Sequence, residues 1–369
     1  MSKLLWECPY RCTQCYSMQV RQKGKDLTKN SIDRITDQLA SNGIKTVNLG
    51  GNEPLFTNGP NPKDTLLPYI VSSLIEKNIL VGITTSGISI NYLAEHYPST
   101  FQALNDVDVS LDSPFSDEHN VNRGAALFNS ALKAIRYCRD ALIEHTIVMC
   151  GMNWNLSDKH IDALCNIAME TESNVRINFI KPTAKTHLHL VPSPKLFYET
   201  SNKLMERSEP IVFGEPLLSS TYTGTGKGCP CGIRSFRIHS ITPNGKVPIS
   251  PCVYMHDYAV GDMLVDDLCD IISSKPFSDF RERHENPEKI KECADCKLLT
   301  TCRGGCAARA YLMSDQLNGL LVRDSYCIKE NGNGHNINFS RYPIRKRDKV
   351  LVHEDYLCTL IVKPVRRAQ

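Results

Sequence analysis

The sequence lacks the long apolar segments that mark secreted and membrane-spanning proteins. It begins MSKLLWEC, without an apolar run behind a basic head, and no later stretch approaches the roughly 20 apolar residues of a transmembrane helix. It also lacks an excess of charge of one sign, since the formal net charge is only +3. A strongly basic field, which would favour nucleic acid as a partner, is therefore absent. These features predict a cytoplasmic protein that binds neither membranes nor nucleic acid.

Cysteine, in contrast, is abundant, with 16 residues in a chain of 369. A cytoplasmic chain rich in cysteine is more typical of a metal-binding protein than of a disulfide-bonded one. Two blocks stand out: Cys8, Cys12 and Cys15 near the start, and Cys231, Cys252, Cys293, Cys296, Cys302, Cys306 and Cys327 in the last third, with Cys229 just before the second block. The scattered cysteines are interpreted as small apolar side chains without chemistry; they are Cys138, Cys150, Cys165, Cys269 and Cys358.

The first block, ECPYRCTQCYSM at 7–18, brings together three thiols rather than four. A closed structural zinc site takes four protein ligands, and so does an ordinary iron–sulfur cluster. Three ligands leave one position open, and an open position is where a metal site performs chemistry. A [4Fe–4S] cluster on these thiols would have one iron free to bind another molecule. A zinc site completed by a distant ligand and a set of ordinary buried cysteines are the alternatives that the spacing leaves open.

Between the two blocks, strand-like and helix-like segments alternate. The predicted strands are LLWEC, KTVNLGG, LVGITTSG, VDVSLDS, HTIVMCG and VRINFI, and the predicted helices cover 29–41, about 125–142 and about 157–170. Six strands alternating with helices predict an α/β protein with a parallel sheet, either open or curled into a barrel. Active sites of such proteins lie at the carboxyl ends of the strands. The first three cysteines, GGNEP (50–54), TTSG (84–87), Ser110 and Asp112 all fall at these ends.

The C-x3-C-x2-C motif followed by Tyr16, together with GGNEP after the second strand, resembles the radical S-adenosylmethionine (SAM) enzymes. The resemblance implies a partial (β/α)6 TIM-type barrel in which the first three cysteines hold a [4Fe–4S] cluster. It further implies that the amino and carboxylate groups of SAM bind the open iron, and that an electron from the cluster breaks a C–S bond of SAM. The resulting 5′-deoxyadenosyl radical takes a hydrogen atom from the substrate, while the protein supplies binding, orientation and a dry cavity.

The same resemblance implies a set of cofactor-binding residues. They are Tyr16 beside the cysteines, Gly51, Asn52 and Glu53 at the SAM amino group, Thr85, Ser86, Gly87, Ser110 and Asp112 near the ribose, and Arg123 close to SAM. The usual family sequence is Gly-Gly-Glu-Pro, so that Asn52 stands where a second glycine is common. Asparagine tolerates left-handed backbone better than most residues, so we expect the turn to survive. Without the neighbouring motifs, a lone aspartate at a strand end would be interpreted as a helix cap or a solvated side chain.

The second block contains CADCKLLTTCRGGC (293–306), a C-x2-C-x5-C-x3-C motif, and resembles the SPASM domain of many radical SAM enzymes that modify peptides. The resemblance implies two auxiliary [4Fe–4S] clusters with crossed ligands, and so three clusters in the chain. Cys231, Cys252 and Cys306 would hold the first, and Cys293, Cys296, Cys302 and Cys327 the second. Cys229 would be the fourth ligand of the first cluster, or that iron would be left open. A zinc knuckle of Cys293, Cys296, Cys302 and Cys306 is the alternative, and it leaves the remaining cysteines unused.

These motifs predict a radical SAM barrel at 1–200, a linker at 201–228, a SPASM domain at 229–335 and a basic C-terminal tail at 336–369. The resemblance implies an oxidoreductase that acts on a ribosomally made precursor peptide by crosslinking, backbone excision or oxidation, with an external electron donor of flavodoxin or ferredoxin type. Only seven residues precede Cys8, so we expect no N-terminal leader-recognition domain, and a separate leader-binding protein is one way to capture the peptide. The pattern also resembles maturases of Nif11-type precursors, including the spliceases.

Other functions stay open at this point. Within radical SAM chemistry they are a dehydrogenase of a small molecule and a maturase of the sulfatase type, and outside it a zinc-binding interaction module. The sequence does not identify a general base. His256 and Asp257 follow Cys252 closely and are candidates for a proton acceptor, although an exposed loop pair would have the same sequence.

Overall fold

The computed structural model describes residues 8–18, 27–314, 319–331, 342, 344–345, 349–354 and 358–366. The strands in these ranges are β1 Thr46–Leu49, β2 Leu80–Thr85, β3 Asp106–Ser110, β4 Glu144–Gly151, β5 Asn174–Phe179, β6 Ser208–Phe213, β7 Arg237–Ile238, β8 Ile249–Ser250 and β9 Leu360–Pro364. The predicted strand LLWEC lies outside the described residues except for its last residue, Cys8.

Helices connect most of these strands. They are α1 Lys29–Ser41, α2 Leu67–Glu76, α3 Ile88–His96, α4 Pro98–Gln102, α5 Ser116–Arg123, α6 Phe128–Asp140, α7 Asp158–Glu170, α8 Pro194–Glu206, α9 Pro216–Tyr222, α10 Leu268–Ile272, α11 Lys275–Glu285, α12 Leu299–Cys302, α13 Ala307–Leu312 and α14 Ile328–Asn331. Short 3₁₀ helices occur at Pro62–Asp64, Lys185–Leu190, His256–Tyr258, Pro287–Lys289 and Lys291–Cys293. None of the helices in the described ranges has the length and apolar character needed to cross a membrane.

Seven strands form one central sheet in the order β1-β2-β3-β4-β5-β9-β6. The strands β1 to β5 are all parallel, and Val109 of β3 lies opposite Ile147 of β4. Val107, Val109 and Ile147 are fully buried, as expected for a parallel sheet covered by helices on its faces. The predicted α/β architecture is therefore confirmed, with helices between five of the six predicted strands.

The helices follow from local sequence signals. The Thr28 hydroxyl caps α1 by accepting a hydrogen bond from the Ser31 amide at 3.1 Å, and Ile32 and Leu39 form its buried face. Gly43, in left-handed backbone at φ +71°, follows the end of the helix.

The last third of the chain packs on this sheet and contains the second cysteine block. Its strands β7 and β8 form an antiparallel pair. The side chain of Gln38, in α1, joins the two parts, because its amide donates to the Met263 carbonyl at 2.8 Å and its carbonyl accepts from the Leu268 amide at 2.7 Å. The sheet and the cysteine-rich part therefore share one buried interface.

Two predicted segments differ from the structure. The predicted linker, 201–228, contains the end of α8, all of β6 and all of α9. The predicted basic tail, 336–369, contains β9, which pairs antiparallel with both β5 and β6 and buries Ile361 and Val362 completely. The basic residues that flank LIVKP led to the prediction of a basic tail. The pairing of LIVKP with strands far away in the sequence leaves no local signal.

We expect Ile361→Ala to lower the free energy of unfolding by roughly 2–5 kcal/mol, because it opens a cavity in a fully buried strand. Anaerobic urea denaturation measures the change. Val350→Ala is the control, since Val350 is 52% exposed, and its effect should stay within about 0.5 kcal/mol. Equal effects of the two substitutions would contradict the inclusion of β9 in the core.

Candidate active site and cluster sites

A cavity lies at the carboxyl ends of the parallel strands. It is lined by Cys8, Cys12 and Cys15 and by nine of the ten predicted cofactor-binding residues, namely Tyr16, Gly51, Asn52, Glu53, Thr85, Ser86, Ser110, Asp112 and Arg123. The tenth, Gly87, is not part of the lining. Gly87 directly precedes α3 and has left-handed backbone, with φ +106°. A Cβ atom at this position would lie 2.5 Å from the Ser130 carbonyl oxygen. Glycine at this position therefore has a local structural reason.

The three-cysteine loop is short and is held against α5. The Cys15 amide donates to the Cys12 carbonyl at 3.2 Å, and the Thr13 amide donates to the Asn122 carbonyl at 2.9 Å. Burial raises the pKa of the Cys12 thiol, while the nearby Arg123 guanidinium acts in the opposite direction. A bound cation would supply the charge that turns these buried thiols into thiolates.

Asp112 connects four parts of the site. Its carboxylate, which is fully buried, accepts hydrogen bonds from the side-chain amides of Gln14 at 2.6 Å and Asn122 at 2.9 Å. It also accepts from the Cys150 amide at 3.1 Å, and Arg123 Nε lies 2.7 Å from Asp112 Oδ2. The cysteine loop, α5 and β4 are thus all joined to the end of β3. A solvated or capping role, the alternative considered for this aspartate, does not describe these contacts.

Glu53 has a similar connecting role on the other side of the cavity. Its buried carboxylate accepts hydrogen bonds from the Thr85 hydroxyl, from the Ser86 amide and hydroxyl at 2.8 and 2.6 Å, and from the Ser89 amide and hydroxyl at 3.3 and 2.5 Å. These contacts tie the GGNEP loop to the start of α3. A direct contact between this side chain and the SAM amino group would require one of these bonds to be given up.

The GGNEP turn is left-handed at Gly51, with φ +95°, while Asn52 has an ordinary negative φ. The asparagine therefore does not need the left-handed tolerance that we expected of it. Its side chain instead lies near Ser17, whose hydroxyl donates to the Gly51 carbonyl at 2.8 Å and to Asn52 Oδ1 at 3.3 Å.

Several lining residues were missed by the sequence analysis, among them Tyr10, Cys150, Arg176, Asn178, Lys181 and Tyr254. Burial and the neighbouring Glu53 carboxylate raise the pKa of Tyr10. Lys181 Nζ lies 5.1 Å from the centre of the Tyr254 ring, a cation–π distance. Lys181 directly follows the predicted strand VRINFI, so the strand-end argument that found Ser110 could have found it as well. Tyr254 had no such local signal.

The second cysteine block divides into two groups. Cys293, Cys296, Cys302 and Cys327 line a small second cavity, whereas Cys306 packs with Cys229, Cys231 and Cys252. This division has the crossed arrangement that the SPASM resemblance implies. It does not suit the zinc-knuckle alternative, which requires Cys306 beside Cys293, Cys296 and Cys302.

Cys358, interpreted from the sequence as a small apolar side chain without chemistry, lies beside other cysteines. Cys358 is buried with the group that contains Cys306, and its sulfur lies 3.5 Å from the sulfur of Cys229. By contrast, Cys138 and Cys165 are fully buried on the core faces of α6 and α7, in agreement with their interpretation as apolar side chains.

The two candidate proton acceptors differ. Asp257 is exposed, as expected for the alternative that the two residues are an exposed loop pair. His256 Nε2 donates to the Tyr16 carbonyl at 2.7 Å, while its buried Nδ1 has no hydrogen-bond partner in the described ranges. Burial and Arg237 lower the pKa of His256, although its bond to the Tyr16 carbonyl and the charge of Asp257 oppose this shift. His256 is not part of the cavity lining.

Comparison with known families agrees with this geometry. Residues 7–165 match the family model of the radical SAM superfamily, and residues 229–297 match the SPASM model, described as an iron–sulfur cluster-binding domain. The mycofactocin maturase MftC of Mycolicibacterium smegmatis is 22% identical over 343 residues, which cover 89% of this chain and 81% of MftC. An uncharacterized protein of Archaeoglobus fulgidus is 23% identical over 335 residues, covering 87% and 76% of the two chains.

Solved structures of similar fold give the same result. The structure of anSMEcpe with bound AdoMet and a bound peptide has a TM-score of 0.64 at 17% identity, over 88% of this chain and 91% of that one. SuiB of Streptococcus suis, bound to S-adenosylmethionine, has a TM-score of 0.61 at 17% identity, over 87% and 74% of the two chains. At such low identity the likeness concerns the fold, and it confirms the predicted fold class.

We expect Asp112→Asn to lower the free energy of unfolding by roughly 3–5 kcal/mol, because it leaves the buried Arg123 guanidinium without its counter-charge. Anaerobic urea denaturation measures the change. Asp257→Asn removes an exposed carboxylate of the same size, and its effect should stay within about 0.5 kcal/mol. An Asp112→Asn variant as stable as this control would show that the carboxylate does not hold the loops together.

Proposed function

We propose that this chain, which belongs to the radical SAM superfamily and carries a SPASM iron–sulfur cluster-binding domain, is a maturase of a ribosomally made precursor peptide. It would act in the cytoplasm and receive electrons from a flavodoxin or ferredoxin. The observation that carries the proposal is that Cys8, Cys12 and Cys15 line one cavity together with nine of the ten predicted cofactor-binding residues.

The donor set fits an iron–sulfur cluster. Soft thiolates favour iron–sulfur clusters. The three front thiols line one cavity together with residues from the ends of five strands. When bound, the cluster and SAM would supply the 5′-deoxyadenosyl radical that abstracts a hydrogen atom from the substrate. Two further groups of thiols support two auxiliary clusters, which brings the proposed total to three.

The chain's own residues would position SAM and exclude water. Asp112 and Arg123 hold the cysteine loop against the end of β3, so a cluster on its thiols would lie beside the other lining residues. Tyr16 and Tyr254, with ring centres 5.2 Å apart, close another part of the lining. Fixed polar groups beside the reacting bond reduce the reorganisation that accompanies its cleavage.

The first auxiliary group, which is the cysteine group of Cys229, Cys231, Cys252 and Cys306, lies where it could oxidise a substrate radical. Cys252 belongs to that group, and the next two residues, Val253 and Tyr254, line the SAM cavity. A substrate in the cavity would thus lie beside residues that directly follow a cluster ligand, a short path for an electron leaving a substrate radical. His256 is hydrogen-bonded to the carbonyl of Tyr16, a lining residue, and its buried Nδ1 has no hydrogen-bond partner within the part of the chain that the structure describes. It would accept the proton that leaves with this electron. Asp257, being exposed, is the weaker candidate.

A peptide is the substrate class that the similar proteins support. MftC is named a maturase, and the anSMEcpe structure contains a bound peptide beside AdoMet. The similarity to MftC extends over most of both chains. Crosslinking, backbone excision of the splicease type and side-chain oxidation are the candidate reactions, and a separate leader-binding protein is a proposed partner.

The test uses anaerobically purified, iron-loaded protein, a chemical reductant, SAM and candidate precursor peptides made with deuterium on carbon. We expect 5′-deoxyadenosine that carries deuterium, together with a changed peptide mass. A crosslink removes two hydrogens, an excision removes a backbone unit, and an oxidation changes one residue. Cys12→Ala should reduce 5′-deoxyadenosine to background, because it removes a proposed cluster ligand.

Cys165→Ala is the matched control, since it removes another buried thiol, from the barrel core, and should leave product formation intact. Deuterium-free 5′-deoxyadenosine and an unchanged mass for every peptide would contradict a peptide substrate and favour a small-molecule dehydrogenase. An iron-loaded protein that never cleaves SAM would contradict the radical reaction itself.

A further inference from the structure

We infer that Cys229 and Cys358 share one iron of the first auxiliary cluster as interchangeable ligands, so that this cluster has no open corner. The inference rests on the proposed assignment of a [4Fe–4S] cluster to this group. It assigns a role to Cys358, which was interpreted from the sequence as a side chain without chemistry. It also chooses between the two roles that the SPASM resemblance left open for Cys229.

Five buried thiols converge at this site. Cys229, Cys231, Cys252, Cys306 and Cys358 are each at most 6% exposed and pack as one cluster. The sulfurs of Cys229 and Cys358 are 3.5 Å apart, and each of these two cysteines also contacts Cys306. Cys231 contacts Cys229 and Cys252. Cys358 is therefore placed among the ligands, on the side of Cys229 and Cys306.

Strand β9 fixes the backbone next to Cys358. The Gly214 amide donates to the Thr359 carbonyl at 2.7 Å, and the Thr359 hydroxyl donates to Asn178 Oδ1 at 3.3 Å. Thr359 leads directly into β9, which is paired on both sides. The position of the Cys358 thiol thus follows from the central sheet and does not depend on the cysteine-rich segment itself.

Cys229 reaches the same place from a different kind of backbone. It follows the glycine-rich loop TGTGKG (223–228), in which Gly224 and Gly228 have a φ of +66°. Glycines give such a loop more conformational choice than a strand has. One partner of the pair is therefore held by the sheet, while the other lies at the end of a loop that can adjust.

The number of cluster ligands implies that Cys229 and Cys358 bind the fourth iron one at a time. A [4Fe–4S] cluster takes one protein ligand at each of its four irons, and Cys231, Cys252 and Cys306 account for three. When Cys358 binds the fourth iron, an iron–sulfur bond to Cys358 forms and the bond to Cys229 breaks. The proton of the incoming thiol passes to the outgoing thiolate, and no electron is gained or lost. The fourth iron stays bound to protein throughout, which suits electron transfer rather than substrate binding.

The test asks whether the cluster has an open iron. Mild ferricyanide oxidation removes an iron that lacks a protein ligand and leaves a three-iron cluster, which electron paramagnetic resonance detects. All variants carry Cys8→Ala, Cys12→Ala and Cys15→Ala, because the proposed open iron of the front site would give the same signal. We expect no three-iron signal from this background, from C229A or from C358A.

The double variant C229A/C358A should give about one three-iron cluster per chain, or should lose about four iron atoms. An added small thiol should restore its resistance to oxidation by occupying the vacant corner. Cys165→Ala is the control for removal of a buried thiol. Circular dichroism and the iron retained by Cys293, Cys296, Cys302 and Cys327 report whether the double variant is folded.

A three-iron signal from either single variant would overturn the inference, because it would identify one cysteine as the sole fourth ligand. A signal from the background would show an open corner, and a double variant that resists oxidation would show that neither thiol is needed. These results leave the proposed function intact. Background protein without auxiliary iron would overturn the cluster assignment and the inference with it.

Discussion

A buried carboxylate, Asp112, is the constraint on which the candidate active site depends. An ionised group that is fully buried costs several kcal/mol unless charged or polar partners surround it. The partners of Asp112 come from the cysteine loop, from α5 and from β4. Each of these segments must reach the end of β3 if the charge is to be satisfied. The place of the Cys12 thiol beside Arg123 follows from the same contacts.

The C-terminal segment provides a second constraint. His353 is buried and lies between Asp106 Oδ2 and Asn48 Oδ1, at 2.6 Å from each. A few residues later, β9 enters the sheet between β5 and β6. Between these two points the chain passes Cys358, beside the first auxiliary group. The described residues of this segment thus contact the core of the sheet, the edge of the candidate active-site cavity at Asn178 and the cysteine-rich part.

Local sequence patterns predicted most of the site because its parts are local. The three front cysteines have a recognisable spacing, GGNEP follows β1 and Ser110 ends β3. Parallel strands bring their carboxyl ends to one edge. Lys181 was equally accessible to this argument. Cys358 was not, because its position depends on a contact between Thr359 and Asn178, which are 181 residues apart in the sequence. The alternation of strands and helices predicts parallel strands, so it could not predict that β9 pairs antiparallel with β5 and β6.

Cys8, Cys12 and Cys15 are proposed to hold a cluster of their own, separate from two auxiliary clusters. Iron and acid-labile sulfide per chain in anaerobically purified protein test it most directly. We predict about twelve iron atoms per chain, falling by about four when the three front cysteines are replaced by alanine. Zinc with little iron, or an iron content that the triple substitution leaves unchanged, would contradict the account.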